Sequence, residues 1–203
     1  MTMDTPLPVL RGERIALRVF CLRDAGFLLA AANDADYQRA AFASAVVPLA
    51  PAEIERRLRE GHRSPLTGAY GGFELAVTPV NDPPSPIGVA GLYRVDRDNG
   101  NAEIGASIIA PEQRGQGLGF ETHVLLIDYA FEHLGLHRVY AHVKSSNAPA
   151  LALCDRLGFR VEGTLRQHRR LADGWLDLRV FGVLRDEWRP RTCPTGDGGP
   201  CVG

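Results

Sequence analysis

Phe120, Val124, Ile127, Phe131 and Leu134 recur at intervals of 4, 3, 4 and 3. That spacing lines them along one face of an α-helix, while the runs on either side carry the shorter period of strands. Ahead of it, "YGGFELAVT", "PIGVAGLYRV" and "NAEIGASII" are apolar segments parted by turn residues, which read as an antiparallel meander. Behind it, "HRVYAHV" alternates Val139, Ala141 and Val143. A helix between strands of one sheet predicts a parallel crossover. "SSNAPALALCDRLGF" then opens with Ser/Asn capping residues and Pro149 and closes at Gly158, so it reads as a second helix. "FRVEGTLR" and "WLDLRVFGVL" finish as a strand pair. The expected class is α+β: one domain with a mixed, mostly antiparallel β-sheet flanked by helices.

The N-terminal part fits that plan. "ERIALRVF" reads as a strand with Ile15, Leu17 and Val19 on one face, and Asp24 is placed to cap a helix over "AGFLLAAAN". "APAEIERRLREG" is a short amphipathic helix stopped at Gly61, and "TPVNDPPSPIG" is a loop. The 203 residues suit one full core, assigned to residues 8–188. Residues 189–203, rich in Pro, Gly and small polar residues, have little to bury and read as a disordered tail.

A net charge of −1 argues against a nucleic-acid binder that works through bulk electrostatics. No apolar run approaches the ~20 residues of a membrane span, and "MTMDTPLPVLRGER" lacks a leader pattern. Cys21, Cys154, Cys193 and Cys201 show no metal-binding spacing. These features fit a reducing, cytoplasmic setting.

"APEQRGQGLGFETHV" places Gly115, Gly117 and Gly119 at alternate positions before the helix. A P-loop would need Lys and Ser/Thr after the last glycine, where Phe120 and Glu121 stand; a dinucleotide fingerprint would need G-x-G-x-x-G. Two readings stay open. One is a flexible strand-to-helix turn. The other is an anion nest, in which bare amides and the helix dipole hold a phosphate beside Arg114 without metal.

Arg114, Gly115, Gln116, Gly117, Leu118 and Gly119 match the R/Q-x-x-G-x-G/A signature of the GNAT N-acetyltransferases. Asn147 to Phe159 resembles that family's second signature. "EGTLRQHRRLADGWLDLRVFGVLRDEW" and "ERIALRVF" resemble the RimJ/RimL-like branch, and the likeness runs from about residue 8 to 188. The resemblance implies the GNAT fold and a pyrophosphate of acetyl-CoA gripped by residues 114–119. It implies amides of Ile108, Ile109 and Ala110 along the pantetheine arm, in a gap between splayed strands, with Asn147 contacting the arm or capping its helix. The acceptor it implies is a primary amine, either a protein N-terminus or a small molecule. For a small amine, Asp34 and Asp36 are candidate acidic groups. No metal, nucleic acid or membrane partner is implied, and a homodimer is an assembly known in the resembled branch.

Acetyl transfer needs a neutral amine, a stabilised oxyanion and a proton for the departing thiolate. Glu103 is the candidate base, directly or through a water, on a strand face shared with Gly105 and Ser107. Partial burial would raise its pKa; the competing reading is an ion pair with Arg94 or Arg97. Position 154, seven residues after Asn147, holds Cys where many family members place a Tyr acid. Cys154 is therefore either the proton donor or apolar filler, and a non-catalytic CoA-binding module is the alternative function. His123 and His133 read as solvated, His142 as facing a substrate or packing, and His168 as part of a basic loop.

Overall fold

The computed structural model describes residues 8–34, 37, 48–61, 64–68, 71–82, 85–108, 110–171 and 174–189. Eight strands form one sheet: β1 (Pro8–Arg11), β2 (Ile15–Arg18), β3 (Phe73–Pro79), β4 (Gly88–Asp96), β5 (Asn101–Ile108), β6 (Arg138–Lys144), β7 (Arg160–Leu171) and β8 (Gly174–Leu184). Their spatial order is β1-β2-β3-β4-β5-β6-β8-β7. Every neighbouring pair is antiparallel except β5 and β6, which are joined through the helix predicted from the 4-3-4-3 stripe. The α+β expectation of a mixed, mostly antiparallel sheet holds.

That helix, α3 (Leu118–Asp128), widens into a π turn over Tyr129–His133, where the Leu134 N–H donates to Tyr129 O at 3.1 Å. It packs on one sheet face with α4 (Ala148–Leu157). Ile15, Leu17, Leu92, Ala102 and Ile104 meet Phe120, Ile127 and Phe131 there. The opposite face carries α1 (Ala25–Asn33) and α2 (Pro51–Arg59), where Leu28 and Ile54 pack against Ala76 and Val89. Alternate residues of the central strands thus feed two cores.

Two local expectations are corrected. Val19 is 58% exposed, because β2 ends at Arg18 rather than running on. Asp24 makes no side-chain cap to α1. Its carboxylate instead takes two hydrogen bonds from the buried Arg18 guanidinium, at 2.7 and 2.9 Å, and one from the Cys21 N–H at 2.8 Å. A buried cation demands a partner more strongly than a helix end does. Asp36, Ile109 and residues 190–203, with Cys193 and Cys201, lie outside the described residues.

Candidate active site

The glycine turn has two residues that only glycine adopts without strain. Gly115 (φ +75°) and Gly117 (φ +77°) are left-handed, and Gly117 is the residue that caps α3. Gly119 is different. Its φ is not positive, and a Cβ there would meet nothing within 4 Å. Neither turn geometry nor packing within the chain accounts for it, whereas close approach of a ligand to the backbone would.

The first N–H groups of a helix lack intrahelical acceptors. Among the described residues, no turn or loop hydrogen bond is donated by the N–H groups of Gly115, Gln116, Gly117, Leu118 or Gly119. Arg14 braces this turn from its place just ahead of β2. Its Nη1 donates to Gln116 O at 2.8 Å and its Nε to Glu121 Oε2 at 3.1 Å. The Glu121 carboxylate, buried in the first turn of α3, also accepts the N–H of Arg14 (2.8 Å) and of Ile15 (3.3 Å). Removing it leaves three donors to find new partners, so Glu121→Ala is expected to cost about 1–3 kcal/mol, read by chemical denaturation. A change within about 0.5 kcal/mol, the usual size for an inconsequential surface substitution, would show that the tie is dispensable.

The second component is a gap in the sheet. Residues 101–103 of β5 pair with residues 138–140 of β6, and the pairing stops at Glu103 and Tyr140 although both strands continue. The opening holds a cavity of about 440 Å³ that takes its lining from both faces of the sheet. His123 of α3 and Leu153 and Cys154 of α4 line one side. Tyr93, Arg94, Glu103, His142 and Leu66 line the other. No residue of 114–119 lines it, but His123, one turn down α3, does, and a ring nitrogen of His123 lies 2.7 Å from Gly119 O. His123 is therefore half-buried rather than on the solvated face its sequence position suggests, and burial pulls its pKa down.

On the far side, Glu103 Oε1 lies 2.9 Å from His142 Nδ1, and Glu103 Oε2 meets the Arg94 guanidinium. The β4–β5 register breaks after Tyr93, and Arg94 in that break is left-handed (φ +49°). Such a backbone costs a bulky residue of order 1–2 kcal/mol and is retained where a side chain must be re-aimed. Gly105 leaves room for the Tyr93 ring, 3.2 Å from where a Cβ would sit. The Tyr93 hydroxyl and the Leu66 N–H both donate to buried Glu74, at 3.3 and 2.9 Å, which fixes the turn beside the cavity.

Of the residues singled out from the sequence, Glu103, Asn147 and Cys154 line the cavity, while Arg114–Gly119 form the turn at the head of α3. Asn147 Oδ1 accepts the Ala150 N–H at 3.2 Å, capping α4. The Glu103–Arg94 ion pair expected as the competing reading exists, inside the cavity. The Ala110 N–H is already donated to Ile87 O at 3.1 Å, so it extends the β4–β5 ladder. Cys154 is buried, and burial, with Asp155 adding to it, pushes its thiol up to about 12. Asp34 is exposed and does not line the cavity itself, but its Oδ1 accepts the N–H of Tyr37, a lining residue, at 2.8 Å. Arg14, Glu74, Tyr93 and Glu121 escape a reading of the sequence; they carry no motif role and act through distant pairing. Among the described residues, no three His, Cys, Asp or Glu side chains group to hold a metal ion, and no helix is long and apolar enough to cross a membrane.

Residues 14–160 match the model of the acetyltransferase (GNAT) domain. The chain is 32% identical over 123 residues to an uncharacterized N-acetyltransferase, p20, of Bacillus licheniformis, covering 61% of this chain and 67% of that protein. It is 39% identical over 81 residues to an L-methionine sulfoximine/L-methionine sulfone acetyltransferase of Pseudomonas paraeruginosa, covering 40% and 46%. The matched stretches span about half to two thirds of the curated relatives' own lengths. The fold is shared with a spermidine N-acetyltransferase of Vibrio cholerae crystallised with CoA and spermine: TM-score 0.73 and 22% identity, over 85% of this chain and 96% of that one.

Proposed function

The chain belongs to the GNAT acetyltransferase domain family, and from that premise we propose that it transfers an acetyl group from acetyl-CoA to a primary amine by direct attack in a ternary complex. One observation carries the proposal: the β5–β6 gap passes through the sheet, with the glycine turn at the head of α3 on one side and the Glu103–His142 pair on the other. Donor and acceptor then enter from opposite faces and meet at a carboxylate–imidazole pair, which supplies the proton-accepting chemistry.

In this reading the pyrophosphate sits on residues 114–119, and the pantetheine arm runs along Ile108 and Ile109 past Asn147. Ala110 lies just past the end of β5, and its N–H is used by Ile87 O. Glu103 is the anionic half of the proton-accepting pair. Cys154 is wall: burial pushes its thiol up to about 12, which makes it a poorer acid than an ordinary thiol.

The resemblance of the closing segment's sequence is what supports the RimJ/RimL-like branch. The segment's Trp188 is buried on Phe131 and donates to Asp128 Oδ1 at 2.6 Å, and Glu187 ties Arg160 at 2.8 Å. The acceptor is the amine of a protein N-terminus or of a small molecule; named relatives act on an amino-acid analogue and on a polyamine.

Acetyl-CoA at about a hundred times its Kd, with chelator present, is expected to stabilise the native protein by about 2.7 kcal/mol. For a chain of this size that raises Tm by roughly 5–10 °C. Thiol release with a panel of N-terminal peptides, polyamines and amino acids then separates the enzyme from a non-catalytic CoA-binding module. An unmoved Tm at saturating acetyl-CoA sinks the assignment of the glycine turn.

A further inference from the structure

The sequence reading has Glu103 take the amine proton directly or through a water. Its surroundings assign it a different place. Oε1 is engaged by His142 Nδ1 at 2.9 Å, Oε2 faces Arg94, and the side chain is 15% exposed. His142 lines the cavity beside this carboxylate and, unlike it, keeps one ring nitrogen clear of the pair. Ala141 and Val143 point into the α3/α4 core, so strand alternation turns His142 to the same face as Glu103. Its side chain is 26% exposed, it lines the cavity, and the Tyr140 ring meets it edge-on at 5.6 Å.

An ionised carboxylate only accepts hydrogen bonds, so a neutral imidazole facing Glu103 through Nδ1 carries its proton there. That tautomer leaves the ring's lone pair on Nε2, the nitrogen turned away from the carboxylate. We infer that His142 Nε2 receives the proton of the attacking amine, with Glu103 as the residue that positions the ring. The inference rests on the acetyl-transfer reading above.

In the step, the amine nitrogen bonds to the thioester carbonyl carbon and gives its proton to Nε2. The imidazolium so formed is stabilised by the Glu103 carboxylate at Nδ1. As the C–S bond breaks, its electron pair stays on sulfur, and Nε2 returns the proton to the thiolate. Base and acid are one group, as in other His-carboxylate pairs, and Cys154, whose raised pKa makes its thiol a poor acid, is not called on.

The groups facing this imidazole are Tyr93 and Arg94 from β4, Glu103 from β5, Tyr140 and Lys144 from its own strand and Arg169 from β7. His123 and Cys154 stand across the cavity. Burial first, then Arg94 and Arg169, hold His142 below the ordinary imidazole value. The lone pair is thus present at neutral pH.

The test uses the full chain, acetyl-CoA and methoxyamine, a nitrogen acceptor too small to need its own subsite and so weakly basic that it stays mostly uncharged across the pH range used. Thiol release is followed from about pH 5 to 8, with the uncatalysed rate subtracted. The wild-type rate is expected to fall on acidification below the ordinary value of ~6.5. His142→Gln should lower the rate at about pH 7.5 at least about a hundredfold and lose the acid limb, with CoA affinity by calorimetry unchanged. Glu103→Gln should keep a limb, displaced, with a smaller loss. His142→Gln that keeps about a third of the rate, or the limb, overturns the inference while leaving acetyl transfer standing. Absence of any transfer by a wild-type protein that binds CoA overturns both. Nitrogen-15 spectra, with the His142 signals assigned by difference from His142→Gln, read the tautomer independently of turnover. The Nδ1–H form is expected, and the Nε2–H form overturns the inference whatever the rates.

Discussion

Gly117→Glu is expected to lower CoA affinity by a factor of several hundred while the protein stays folded. The backbone at 117 is left-handed, so any Cβ there costs roughly 1–2 kcal/mol. Sterically the change is mild, since the new Cβ would meet only Arg14 Nη2, at an ordinary 3.5 Å. The effect on the ligand is electrostatic. A carboxylate tethered at the head of α3 would take up the same amides that the proposed site offers to a pyrophosphate. At about 4–5 Å and an effective dielectric of ~20, one pair of like charges costs roughly 3–4 kcal/mol. That added anion would in turn be favoured by the helix N-terminus, which offsets part of the backbone strain and keeps Tm close to wild type. Gly119→Ala sharpens the comparison. Within the helix it should raise stability by up to about 1 kcal/mol, because nothing in the chain opposes a methyl there, yet weaken CoA binding if the backbone must approach phosphate closely. A turn with no ligand role gives the opposite pattern: calorimetric CoA affinity at wild-type level in both variants.

The parts of this molecule that are legible in the sequence are those whose signal is local. The 4-3-4-3 stripe marks α3, Asn147 and Gly158 bracket α4, and alternation at Val139, Ala141 and Val143 marks β6. The glycine turn is legible because two of its residues answer to backbone geometry. What stays hidden depends on register between distant strands. Glu103 and His142 are 39 residues apart, and only the parallel pairing of β5 with β6, ending at Glu103 and Tyr140, brings them to one face of the gap. Arg14 and Glu121 are 107 apart, and in the sequence each looks like an ordinary surface charge. Val19 and Asp24 mislead for one reason. The pattern rule assigns charges to solvent or to helix ends, and here Arg18 is inside.

Asp24→Ala is accordingly expected to destabilise the fold more than Glu121→Ala does, by about 3–5 kcal/mol. Arg18 and Asp24 have side-chain exposures of 2% and 1% and meet through two hydrogen bonds of 2.7 and 2.9 Å, just ahead of α1. Removing the carboxylate leaves a buried guanidinium without its bidentate partner, and also strips the Cys21 N–H of its acceptor. With about 5–15 kcal/mol typical for a whole domain, the loss should lower Tm by roughly 6–20 °C. The pair itself need not stabilise the fold, since desolvation of two charges offsets most of their attraction. The double change Arg18→Met with Asp24→Leu is therefore expected to recover most of the lost stability, which neither single change would do. CoA affinity in the double variant should match wild type, because neither residue lines the cavity or touches the glycine turn. If Asp24→Ala melts within about 3 °C of wild type, a shift equivalent to no more than about 1 kcal/mol at this size, Arg18 does not depend on Asp24 to offset its burial, and the assignment of this pair as the anchor ahead of α1 fails.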